Sequence, residues 1–314
     1  MKQSFWILAA PLLLGAQVAE VELTAPALGY VLDNSARSLR PIEGVPGAAI
    51  LGNRVNLNAF VHHAWLSPNR RHALATSEEG GLLVVKLDGG TGLARAISTD
   101  VPLAAAFSPD GTAAVVLAAE RFEVWRGLPD APVQVSVWPA PSEEIVRLAV
   151  SDDGARVAFI AGGRLHIAGN EIENLDETGG YSDLCFLRSS HTLVAANRQT
   201  SRIVLWKKAG SGGEAEVLAS PGQGIESPVG LAFSADESLM AVLGASGAKV
   251  WLVNRLSGNH TALDVSRVQP EGIWRAEGNA VFQLHRLKSD QRIWLVDGDA
   301  VEPRLVPVSG GGAE

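Results

Sequence analysis

Ala106-Phe107-Ser108-Pro109-Asp110-Gly111 is the stretch that decides the fold. Asp-Gly supplies residues that tolerate positive φ, which a tight hairpin between right-twisted strands needs. An apolar run over residues 103–107 leads into the turn, and a second over 113–117 leaves it. Continuous apolar runs of about five residues, bounded by turn residues, read as strands buried on both faces.

The unit recurs about every 40 residues. Its other copies are Ala64-Trp65-Leu66-Ser67-Pro68-Asn69, Ala149-Val150-Ser151-Asp152-Asp153-Gly154, Cys185-Phe186-Leu187-Arg188-Ser189-Ser190, Ala232-Phe233-Ser234-Ala235-Asp236-Glu237 and Ile273-Trp274-Arg275-Ala276-Glu277-Gly278. A tryptophan recurs in phase with it, in Val124-Trp125, Leu205-Trp206, Val250-Trp251 and Ile293-Trp294; Val85 and His166 take its place in the two remaining units. Such large, mostly apolar side chains are expected to pack between neighbouring sheets rather than to hold a ligand. A fourth strand, such as residues 133–137, completes each unit, and no segment shows a sustained helical period. Four short strands per repeat is the pattern of a β-propeller.

The expected fold is therefore all-β, a single propeller over residues 27–308, followed by a Gly-rich tail at 309–314. Six units lie between Phe60 and Val308. Upstream, residues 28–33 and 38–42 read as the third and fourth strands of one more, with short strands at 48–51 and 55–57. That gives seven blades, with six as the rival count. N-terminal strands completing the ring would hide an otherwise unpaired edge.

The 314 residues are 46% hydrophobic and 19% charged, which supports a large core and argues against disorder. A net charge of −8 disfavours binding to nucleic acid or anionic lipid, and the longest basic runs are the pairs Arg70-Arg71 and Lys207-Lys208. Residues 1–19 read as an export signal. Lys2 precedes an apolar stretch at 5–14, broken only by Pro11, and Ala16 and Ala19 follow as cleavage points. The stretch is too short to span a bilayer, which takes about 20 residues. The expected location is periplasmic or extracellular, and the expected state a monomer. The single cysteine, Cys185, cannot staple the fold and reads as a small buried hydrophobe.

Phe107-Ser108-Pro109-Asp110-Gly111 and Phe233-Ser234-Ala235-Asp236 resemble the turn of bacterial WD40-like propellers, a set that includes TolB-type repeats and the YVTN or lactonase-like surface propellers. The resemblance covers about residues 60–308 and implies a fold, not an activity. Eukaryotic-type WD40 repeats place Asp after the strand-ending tryptophan and a Gly-His pair upstream. Here Arg126, Lys207, Leu252 and Leu295 follow the tryptophans and no such pair is present, so that family's partner rules do not carry over.

No His-Glu-x-x-His, Gly-x-Ser-x-Gly, P-loop or Rossmann glycine pattern is present. His62 and His63 are adjacent, so on a strand they face opposite sides. Asp152-Asp153 and Asp297-Gly298-Asp299 lack the remaining ligands of a calcium loop. Asn259-His260-Thr261 matches a glycosylation sequon, read as incidental. Carboxylates do recur before the first strands of successive units: Glu143, Glu144, Asp183, Glu226 and Glu271. Converging near the axis, they would suit Ca²⁺ or another divalent cation, although Arg147 and Arg275 would neutralise them.

Three readings follow. The first is an exported binding or scaffold protein for a protein or surface ligand. The second is a metal-dependent lactonase-type hydrolase using those five carboxylates at the channel mouth. The third is an accessory module of an envelope complex.

Overall fold

The computed structural model describes residues 26–88, 90–169, 172–176, 178–284 and 292–310. The leader at 1–19 and the tail beyond Gly310 lie outside the described residues. The strands form seven sheets, and the only helical element described is a single 3₁₀ turn, Pro221–Gln223. Seven is thus the blade count. Five sheets are four-stranded antiparallel meanders, as in Pro102–Phe107, Ala113–Ala118, Arg121–Arg126 and Val133–Pro139. Their second strands are buried along all or nearly all of their length, as Ala113–Ala118 and Val157–Ala161 show, which explains the unbroken apolar runs in the sequence.

The sheet closest to the N-terminus has three strands, Ala27–Asp33, Ser38–Glu43 and Ile50–Leu51. The sequence pattern made the first two the third and fourth strands of their blade; the structure makes them the second and third. Leu28 accepts a hydrogen bond from the Glu277 amide, in the first turn of the last blade, whereas the Arg37 carbonyl accepts from Val61, which opens the first strand of the following blade. Ala27–Asp33 therefore runs opposite to the innermost strands, as second strands do. Among the described residues no strand fills the innermost place of this blade. The short segment Asn56–Leu57 adds in parallel to the outer strand Thr91–Ser98 of the next sheet.

Closure joins the two ends of the described chain. Ser309 forms a parallel bridge with Ile50, donating to the Ala49 carbonyl at 3.0 Å and accepting from Leu51 at 3.0 Å. Leu28, Val31 and Ile42 pack on Val281, Leu295 and Val306 of the last blade, so the seam is apolar as well as hydrogen-bonded.

The four recurring tryptophans, Trp125, Trp206, Trp251 and Trp294, sit on third strands, and they pack toward the preceding blade: Trp125 against Leu74 and Val84, Trp206 against Ile160 and Ile167, Trp251 against Val194 and Leu205. Their register is not uniform. Trp125 and Trp206 pair with the first residues of the second strands' turn ends, Ala114 and Leu193, whereas Trp251 pairs with Val242, two residues further along. A shift of two keeps the side chain on the same face.

The recurring turn is a small hydrogen-bonded unit. Ser108 is fully buried, and its hydroxyl donates to Asp110 at 2.7 Å; Asp110 accepts from the Thr112 amide at 2.8 Å, and Gly111 donates to the Ser108 carbonyl at 2.9 Å. Ser67–Asn69, Ser151–Asp153 and Ser234–Asp236 repeat the hydroxyl contact at 2.8, 2.6 and 2.6 Å. Neighbouring turns are also tied together. Asp152 accepts from the amides of Asp110 and Ser189, Glu237 from that of Arg188, and Asn279 from that of Asp236.

These bonds set an acid response. Burial resists ionisation of Asp153, but hydrogen bonds from Ser151, Ala155 and His191 outweigh it and bring its pKa down to about 2. Hydrogen bonds from Ser234 and Ser238 bring Asp236 to about 2 as well. A folded-state pKa below the unfolded value contributes stability that is present above about pH 4 and lost as pH falls through about 2. Asn69 fills the same turn position in another blade, so Asp153→Asn with Asp236→Asn should fold. The double variant is expected to lose less urea resistance than wild type between pH 5 and 2; equal losses would contradict the assignment.

Candidate ligand site at the propeller axis

The five carboxylates read from the sequence do not come together. Glu143, Glu144, Glu226 and Glu271 are exposed, and Glu143 leans on the turn at Gly162 rather than toward the axis. Among the described residues, no three His, Cys, Asp or Glu side chains are grouped to hold a metal ion. These five side chains therefore assemble no shared divalent-cation centre at the channel mouth.

Asp183 alone turns inward. Its carboxylate, 16% exposed, accepts from Arg147 Nε at 3.2 Å and from the backbone amide of Leu231 at 2.8 Å. Arg147, Asp183 and Leu231 lie on the innermost strands of three successive blades, so Asp183 staples them around the channel. Burial raises its pKa above the ordinary carboxylate value, opposed by Arg147 and the two backbone amides. Asp183→Ala removes the acceptor of the Leu184 and Leu231 amides and of Arg147 Nε and is expected to cost about 1–3 kcal/mol. Asp183→Asn keeps an acceptor for Leu231 and removes the desolvated charge, so at neutral pH it should cost much less. Urea midpoints that fall equally in both would contradict this role.

The axial cavity opens at the opposite end from the loops that carry Glu143 and Glu271, at the Ser-x-Asp turns. It measures 230 Å³ and is lined by the last residues of the inner strands, among them Phe107, Ala149, Phe186, Phe233 and Trp274. Cys185 also lines it, and burial first, then Asp183 and Glu237, pushes its thiol pKa well above the usual range, so it stays protonated at neutral pH. At its mouth stand Arg70, Arg188 and Arg275 with Glu237. Apolar walls with a few converging polar groups are the general make-up of a ligand site. Sequence reading missed this face because it followed acidic residues before the first strands. The available signal was Arg70 itself, a cation standing where two of the other turns carry Gly111 and Gly154 and a third carries Glu237.

Known structures share the fold. A protein of unknown function from Desulfotomaculum acetoxidans DSM 771 superimposes with a TM-score of 0.58 at 12% identity, over 91% of this chain and 100% of that one. The fold is a WD40-like β-propeller. The propeller domain of Cps50 (Swd1) from Myceliophteria thermophila matches at TM-score 0.51 and 14% identity, over 82% of this chain and 92% of that one. The RRP9 WD40 repeats match at 0.52 and 12%, over 81% and 82%. Identities this low speak for fold alone. Residues 34–173 of this WD40-like propeller match the family model of the lipoprotein LpqB beta-propeller domain. No curated protein matches the chain. Among the described residues, no helix is long and apolar enough to cross a membrane.

Proposed function

We propose that this chain is an exported binding propeller whose ligand enters the axial cavity from the Ser-x-Asp turn face. The observation that carries the reading is the 230 Å³ cavity, which successive inner strands wall with apolar side chains and which Arg70 and Arg188 of two turns and Arg275 of an inner strand line with positive charge. Two further points support an envelope location: the leader-like residues 1–19 and the match of 34–173 to a lipoprotein's propeller domain. An accessory role in an envelope complex is compatible with the same cavity, as the place where a partner's side chain would dock.

Ala235 lines the mouth, and its amide is tied to the Asn279 carbonyl at 2.8 Å, so a larger side chain there can obstruct the entrance without removing a bond. Ligand-observed NMR with a set of aromatic fragments should show saturable binding to wild type that Ala235→Trp abolishes, with the two proteins unfolding at similar temperatures. No saturable binding, or binding that Ala235→Trp leaves intact, would overturn the cavity as the site. Fractionation of the producing cells should recover the chain from the envelope or outside it; recovery wholly from the cytosol would overturn the location.

A further inference from the structure

The binding reading above names no ligand chemistry, and three observations at the cavity mouth supply one. The first is an unpartnered cation. Arg70 is 8% exposed, lines the cavity, and its Nε is buried with no hydrogen-bond partner. An Arg fork offers five donors, and burying one unsatisfied is costly.

The second is an excess of positive charge, three arginines against one glutamate in the lining. Arg275 stands close enough to Arg70 for the two guanidiniums to repel, and burial together with that repulsion brings Arg70 down to about 10, with Glu277 acting the other way. Arg188 repels Arg275 in turn. Arg275 spends one Nη on the Pro68 carbonyl at 2.6 Å, reaching across the place where the N-terminal blade has no innermost strand, and Arg188 reaches the Ala235 carbonyl at 3.5 Å. Among the described residues none of the three arginines forms an ion pair, in a protein whose net charge is −8. The nearest carboxylate in the lining, Glu237, has one oxygen on the Arg188 amide at 2.5 Å.

The third is backbone strain. The turn position of Arg70 has φ 58°; the equivalent residues Gly111 and Gly154 have φ 81° and 67°, and Glu237, which also lines the cavity, has φ 59°. The position suits glycine, yet here it carries a long cation that points into the cavity. Strained non-glycine residues at positive φ concentrate at ligand clamps.

We propose that the cavity mouth is an oxyanion site, in which Arg70 and Arg275, with Arg188 at the rim, take a carboxylate or phosphate group of the ligand while its apolar part rests against Phe107, Phe233 and Trp274. Guanidinium forks match both groups in geometry, and an anion between them would remove the repulsion and satisfy the free donors. This rests on the cavity being a ligand site, and the experiment separates the two claims.

Isothermal titration compares benzoate, phenyl phosphate and the neutral isostere benzamide. Wild type should bind at least one of the two anions at least about tenfold more tightly than benzamide, the scale of one charge-assisted hydrogen bond. Whichever anion binds identifies the group. Arg70→Gly places glycine where the backbone prefers it, so its unfolding temperature should hold or rise while the preference for the anion disappears. Arg275→Gln keeps a donor for Pro68 and should weaken the anion in the same direction. Equal binding of benzoate, phenyl phosphate and benzamide to wild type, or an anion preference surviving both substitutions, would overturn the oxyanion site and leave the cavity reading standing. No binding of any of the three would count against both.

Discussion

Each sheet of this protein is apolar on both faces and cannot be left uncovered, so every blade depends on a neighbour at each side. The core is accordingly a set of clusters that straddle consecutive sheets, not one central mass. Phe122 and Phe159, Ile160 and Leu193, Ile203 and Val242 each meet across a boundary between blades. Burying such side chains contributes about 1.5–3 kcal/mol apiece, and none of it is available to an isolated sheet. The constraint holds for the last blade too, so the ring has to close. It does so by setting the N-terminal sheet against Val281, Leu295 and Val306.

Closure by a three-stranded sheet shapes the axis. With no innermost strand described in that blade, Arg275 bonds directly to the Pro68 carbonyl two sheets away. The same ring needs polar ties where the turns crowd together, and Asp152, Glu237 and Asn279 supply them through backbone amides. At the far end of the inner strands Asp183 does similar work. The axis thus holds carboxylates committed to the fold, guanidiniums that spend part of their donors on backbone carbonyls, and Arg70, whose buried Nε has no partner.

Much of the fold was legible because each repeat solves the same packing problem with the same residues. The Ser-x-Asp turn, the buried second strands and the third-strand tryptophans are local features, and local features leave a period in the sequence. Two matters were not local. Strand direction in residues 27–43 depends on what Leu28 and Arg37 bond in other blades, so the pattern alone placed those strands one position too far out. The candidate site depends on which loop residues face the axis. Acidic residues drew attention to Glu143, Glu226 and Glu271, which point to solvent, whereas Arg70 was read as half of an unremarkable basic pair. A comparison of the repeats position by position would have exposed it, since Arg70 is the one cation at a turn position that Gly111, Gly154 and Glu237 hold in other blades.

Ring closure is the claim on which the axial cavity and both functional readings stand. Cysteines at Ile50 and Ser309, in a Cys185→Ser background, would test it by oxidation and by a short bismaleimide cross-linker in the folded protein. The account predicts an intramolecular link in high yield, and a rise in unfolding midpoint worth about 3–5 kcal/mol, the scale for closing so long a loop. Thiols that stay free toward both reagents in the folded monomer would contradict it.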